Sequence, residues 1–302
     1  MRRILTILIL AALSAGCSGG TSGGGSPPPE TSVESPATSP SPMTQSGSPA
    51  TRDFSVVING VTIEGHCSGT EGQGPTVILT HGNGGSEDQL FAVEEHMDAR
   101  TLVCAYTRPG TPSSADSPKK QPRPVSEVVT EMHAVLEAAE IPPPYFLVGT
   151  SAGGVITFMF AQAYASDVSG FVVINPMPPP CAANAQAARK FISKQLVEEK
   201  ELPDCRGDNP EQIVFLENDS ELKDPLPAEM PYHVLFDENC DGDTEYCDKV
   251  LQWLPDLMRR LSRVGAAGEF TWVKGAGHEI ESSRPDIVLA TVDDVFEKAV
   301  QR

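Results

Sequence analysis

Leu147-Val148-Gly149-Thr150-Ser151-Ala152-Gly153-Gly154 reads as an apolar strand running into Gly-x-Ser-x-Gly and then into a helix. A serine hydroxyl is a poor nucleophile unless it stands clear of its own backbone and meets a base. Gly149 and Gly153 lack Cβ atoms, so strand and helix can close tightly around a strained, protruding Ser151. The flanks give the pentapeptide its weight. Tyr145–Val148 has the composition of a buried strand, and Val155–Tyr164 that of a buried helix.

Outward from this point the chain alternates. Further strands are expected at Thr76–Thr80, Thr101–Tyr106, Phe171–Ile174, Tyr232–Phe236 and Phe270–Val273. Helical spacing of apolar residues runs from Val125 to Ala139 and from Ile287 to Ala299, with Pro285 suited to a first turn. Upstream, Ser55–Ile63 holds two short strands joined by Asn59-Gly60, a type I′ hairpin signal. A hairpin followed by β and α units predicts an α/β fold, its sheet mostly parallel and covered on both faces. Residues 176–230 fill one connection where a single helix would suffice. Loops of that length are usually lids or binding elements, so a helical cap is expected there, with a helix over Ala182–Leu202.

The N-terminus has a different character. Arg2 and Arg3 precede a short apolar run, Ile4–Leu13, too short to span a bilayer and laid out like a secretory signal. Leu13-Ser14-Ala15-Gly16-Cys17 resembles a bacterial lipobox, which implies removal of residues 1–16 and lipid attachment to Cys17. Residues 17–52 are rich in Gly, Ser, Thr and Pro and cannot bury a core, so a disordered tether is expected. Residues 53–302 have the length of one α/β domain. The net charge of −19 argues against a nucleic-acid partner and suits an exported, soluble domain. With Cys17 lipidated, the other six cysteines form an even set that reads as disulfides, for which 15 pairings exist. No spacing in the chain suggests a metal site, and no cofactor is expected.

From about Phe54 onward the chain resembles the α/β-hydrolase superfamily, on three motifs in that family's order. They are His81-Gly82-Asn83-Gly84-Gly85 after the third strand, Gly149-Thr150-Ser151-Ala152-Gly153 after the fifth, and Gly275-Ala276-Gly277-His278 after the last. Cys104-Ala105-Tyr106-Thr107-Arg108-Pro109-Gly110 is similar to the family's Tyr-Asp-Arg-x-Gly stretch, with Thr107 in place of Asp. The resemblance implies an α/β-hydrolase fold with the cap between strands 6 and 7. It implies Ser151 as nucleophile, which excludes the carboxylate-nucleophile chemistry of haloalkane dehalogenases and epoxide hydrolases. His278 is then the base, in preference to His66, His81, His96, His133 and His233. The acid belongs in the loop after Tyr232–Phe236. The usual position falls at Cys240, so Asp241 is the first choice, Glu238 the second, and Asp237 and Asp243 are weaker. Asn175 occupies a place where some relatives carry their acid, but an amide cannot stabilise an imidazolium electrostatically. The oxyanion donors are expected at the N–H groups of Asn83 and Ala152. Proximity in such a fold favours the pairs Cys67–Cys104, Cys181–Cys205 and Cys240–Cys247.

These features predict a serine carboxylic-ester hydrolase held by lipid at the extracytoplasmic face of the membrane, acting on a small ester or a lipid. Two other readings share the fold: a non-catalytic lipoprotein binding an apolar ligand or an envelope protein, and an acyltransferase whose cap excludes water. The anchor is testable by itself. Intact-mass analysis of the mature protein should find Cys17 as its first residue, carrying acyl chains, and Cys17→Ala should move the protein out of the detergent phase. Two chains anchor stably where one binds with a constant of only about 10⁴ M⁻¹. An unmodified Cys17 would overturn the lipoprotein expectation.

Overall fold

The computed structural model describes residues 51–111, 114–115, 123–176, 211, 213–214, 226–237 and 268–302, all within the compact unit Gly47–Arg302. Strand β1 (Arg52–Ile58) turns into β2 (Val61–Ser68) through Asn59 and Gly60, whose φ values of 52° and 82° are those a type I′ turn requires. Then come β3 (Thr76–Thr80), a 3₁₀ turn over Glu87–Leu90, and α1 (Phe91–Met97). Next are β4 (Val103–Tyr106), β5 (Arg123–Pro124) and α2 (Val125–Ala138). The centre of the chain holds β6 (Tyr145–Thr150), α3 (Ala152–Ala163) and β7 (Val168–Ile174). It closes with β8 (Ile213–Val214), β9 (Tyr232–Asp237), β10 (Gly268–Val273), α4 (Ile280–Ser283) and α5 (Pro285–Val300).

The main sheet has the order β1-β2-β4-β3-β6-β7-β9-β10. β2 is antiparallel to β1 and β4, and every other pairing is parallel. Every residue of β3, β4, β6, β7 and β9 is buried, as strands covered on both faces require, whereas the edge strands β1 and β10 are mostly solvent-accessible. One apolar cluster joins the sheet to α2 and α3, and a second joins it to α1 and α5. In α5 the inward residues Val288, Val292, Val295 and Phe296 follow helical spacing, each buried side chain contributing about 1.5–3 kcal/mol. This is the α/β-hydrolase architecture that the sequence predicts.

The elements differ from expectation mainly at their ends. β1 takes in Arg52, the last residue assigned to the tether, and α3 begins three residues before Val155, immediately after Ser151. The strand expected over Thr101–Tyr106 starts at Val103. Of the insertion 176–230, the described part includes Glu211 and β8, which lies parallel to β5 with Arg123 opposite Ile213. The cap helix, the pairs Cys181–Cys205 and Cys240–Cys247, Asp241, Glu238 and Cys17 lie outside the described residues.

Thr107, which departs from the Tyr-Asp-Arg-x-Gly pattern, is buried, donates to the Glu87 carboxylate and accepts from the Glu87 N–H at 3.2 Å. The hydroxyl thus ties the strand end to the helical segment across from it, work that an Asp could share only as an acceptor.

Cys67 and Cys104 are joined by a disulfide between directly opposed residues of β2 and β4. A cross-link closing 37 residues stabilises mainly by restricting the unfolded chain. The double variant Cys67→Ala/Cys104→Ala should therefore lose about 2–4 kcal/mol, seen as a lower denaturant midpoint with little change at the distant serine site.

Candidate active site

The turn between β6 and α3 is strained where the motif requires it. Ser151 has φ 51° and ψ −117°, a conformation that costs of order 1–3 kcal/mol in a non-glycine residue. Its N–H donates to the Ile174 carbonyl at 2.9 Å, which anchors the turn to β7. The flanking glycines are demanded by space. A Cβ on Gly149 would lie 2.3 Å from Thr157 Oγ1, and one on Gly153 would lie 2.2 Å from the Thr80 carbonyl oxygen. Only bare backbone lets α3 start this close to the ends of β3 and β6. Ala152, fully buried, is its first residue, so its N–H sits at the positive end of a twelve-residue helix.

His278 lies in the turn after β10, and its Nε2 is 3.1 Å from Ser151 Oγ. Asn175, directly after β7 with φ 39°, meets it from the other side. The Asn175 Nδ2 donates to the His278 carbonyl at 2.9 Å and lies 3.1 Å from Nδ1 of the ring. Its backbone N–H donates to Leu235 O at 2.7 Å, and its Oδ1 lies 3.5 Å from the Asp237 amide N. The residue discounted as an acid is thus a strut that ties the histidine turn to the ends of β7 and β9. Asp237 is buried, and among the described residues its carboxylate makes no hydrogen bond. It makes no hydrogen bond to His278. Asp241 and Glu238 lie beyond it, outside the described residues.

The loop 81–85 abuts the nucleophile, since a Cβ on Gly82 would come within 3.3 Å of Ser151 Cβ. His81 fixes its own tautomer. Its Nε2 accepts from the Arg108 N–H at 3.0 Å, so Nδ1 carries the proton and donates to Gly82 O at 2.7 Å. Burial first, and the Arg108 charge second, hold its pKa well below the usual imidazole value. The Gly82 N–H donates to Gln89 Oε1 at 2.7 Å. Gln89 Nε2 in turn donates to Glu281 at 2.9 Å, and Thr150 Oγ1 donates to the same carboxyl at 3.1 Å. Burial raises the Glu281 carboxyl above its ordinary pKa, against the pull of these donors.

The remaining histidines have structural partners. His66 pairs with Glu94, His96 with Asp293, His133 stacks on Tyr164, and His233 bonds Thr271. The supports Gln89, Arg108, Glu211 and Glu281 were not singled out from sequence. Only Arg108 stands in a recognisable motif, and 103 residues separate it from the glutamate it meets.

The profile of the family described as serine aminopeptidase, S33 (Hydrolase_4), matches residues 73–236, more than half of the chain. The Bacillus subtilis protein YqjL is 31% identical over 237 residues, 76% of this chain and 86% of its own length. Human monoacylglycerol lipase ABHD6 is 27% identical over 113 residues, 36% of this chain and 32% of the human protein. The structure of naproxen esterase (carboxylesterase NP) from Bacillus subtilis superposes with a TM-score of 0.57 at 17% identity, covering 82% of this chain and 92% of that one.

The buried, neutral His81 gives a signed pH effect. Its pKa is depressed in the folded state, so the unfolded chain takes up the proton first and stability falls with decreasing pH. The contribution is present in full above about 6.5, the unperturbed value, and declines below it. His81→Gln should cost stability at pH 8 yet show a shallower further loss from pH 7 to pH 5 than the parent protein. Parallel slopes in denaturant titrations at the two pH values would contradict this.

Proposed function

This chain belongs to the serine aminopeptidase, S33 family of α/β-hydrolases, and from that premise we propose that it is a serine-dependent carboxylic-ester hydrolase working through an acyl-enzyme. The observation that carries the proposal is the 3.1 Å approach of His278 Nε2 to the Oγ of a strained, helix-capping Ser151. The esterase named among its structural neighbours and the monoacylglycerol lipase among its relatives support an ester or lipid substrate over a peptide.

In this reaction Ser151 Oγ attacks the ester carbonyl as its proton passes to His278 Nε2. The carbonyl π pair moves to oxygen, where the N–H groups of Ala152 and Asn83 stabilise it. Collapse re-forms the carbonyl and expels the alcohol, which takes the proton back from His278, and water then repeats the sequence on the acyl-enzyme. Asp241, in the loop that follows β9, supplies the carboxylate that orients the ring and balances the imidazolium. The N-terminal signal and Cys17 support action at the outer face of a bacterial membrane, the tether giving the domain reach from the surface.

Ser151→Ala should leave the fold intact and lower kcat for p-nitrophenyl acyl esters by several orders of magnitude, on the order of 10⁴–10⁶. Undiminished turnover in the purified variant would refute the assignment, and a fluorophosphonate probe should label the parent protein and not the variant.

A further inference from the structure

Arg108 and Glu211 form an ion pair in which both side chains are completely buried. Arg108 Nε donates to Glu211 Oε2 at 2.7 Å, and Nη2 donates to Oε1 at 2.9 Å. The rest of the guanidinium is turned toward the loop behind the nucleophile. Nη1 donates to the His81 carbonyl at 2.8 Å, and Nη2 to the Gly82 carbonyl at 2.9 Å. Glu211 reaches the same loop by itself, for its Oε1 accepts from the Gly84 N–H at 3.1 Å. An isolated charge in such a place would cost several kcal/mol, so each partner is tenable only with the other.

The consequence falls on one peptide group. The Gly82 carbonyl accepts from Arg108, from His81 Nδ1 at 2.7 Å and from the Gly85 N–H at 3.2 Å. A trans peptide is planar, with its C=O and N–H pointing in opposite directions. Fixing the Gly82 oxygen therefore fixes the direction of the Asn83 N–H, away from Arg108. The cationic guanidinium on that oxygen also polarises the peptide, which strengthens its N–H as a donor.

Resting on the ester-hydrolase reading, we propose that Arg108 and Glu211 are positioning residues for the oxyanion donor of Asn83, and that Glu211 makes a residue of the insertion 176–230 part of that support. Neither touches the substrate. They set the plane of the peptide that does, so their loss should weaken binding of the tetrahedral oxyanion and leave ground-state ester binding almost unchanged.

The test separates this role from a structural one. Replacing a buried ion pair by apolar residues of similar size is often neutral or stabilising, so Arg108→Met/Glu211→Leu removes the support without burying a lone charge. Active sites are counted with a fluorophosphonate probe, and rates are expressed per labelled site. We expect kcat for p-nitrophenyl butyrate to fall about 10- to 100-fold with KM within about twofold, a part of the 10²–10³ that losing an oxyanion donor costs. The affinity for an alkyl trifluoromethyl ketone, whose carbonyl becomes a tetrahedral oxyanion on addition of Ser151 Oγ, should fall in parallel. Glu211→Asp, which keeps the charge but withdraws the carboxylate, should show the same split to a smaller degree. Parental kcat per site and parental ketone affinity in either folded variant would overturn the proposal. Failure of the probe to label the parent protein would instead overturn the ester-hydrolase reading beneath it.

Discussion

The contact on which the site depends is the approach of Gly153 to the carbonyls of Thr80 and His81. A Cβ at residue 153 would stand 2.2 Å and 2.4 Å from their oxygens, so α3 can begin where it does only with bare backbone there. That start point places Ser151 at the head of the helix, in a backbone conformation strained by order 1–3 kcal/mol. It also brings the loop after β3 against the serine. Everything else in the site is an arrangement of loops around this junction. The loops come from the same ends of β3, β6, β7 and β10, which the parallel sheet brings together.

Those loops are held largely by buried polar groups. Behind residues 81–85 stand a buried guanidinium, a buried carboxylate and a neutral imidazole, with Gln89 and Glu281 to one side. The Gln89 amide is oriented without ambiguity. Its oxygen must face the Gly82 N–H, which leaves its NH₂ for the Glu281 carboxyl. In an interior of low dielectric such a chain is rigid when every member is satisfied and costly when one is missing. The chain's net charge of −19 therefore says little about its interior, where Arg108 is balanced by Glu211 and Arg123 by Glu131.

Much of this architecture is legible in the sequence because it rests on local periodicity. The apolar runs that became β3, β6, β7 and β9 are strands with no exposed face, and Asn59-Gly60 marks its hairpin through backbone preference alone. Ser151 is legible because close approach demands Gly149 and Gly153 beside it, and His278 because the left-handed turn before it favours Gly275 and Gly277. The Arg108–Glu211 and Gln89–Glu281 contacts leave no such trace. They join residues 103 and 192 positions apart, and each glutamate looks in sequence like any other among the chain's many acids. The buried position is a property of the fold, and nothing local announces it.

Asn175 shows how a correct physical argument about a residue can still miss its work. An amide carries no charge to offset an imidazolium, and that reasoning stands. The same residue nevertheless binds the histidine turn through the His278 carbonyl, and its own N–H is taken by the Leu235 carbonyl in β9. Its left-handed backbone, at φ 39°, suits Asn better than most side chains. The histidine turn is thus held to the end of β7 through its own backbone carbonyl, a duty that needs no charge.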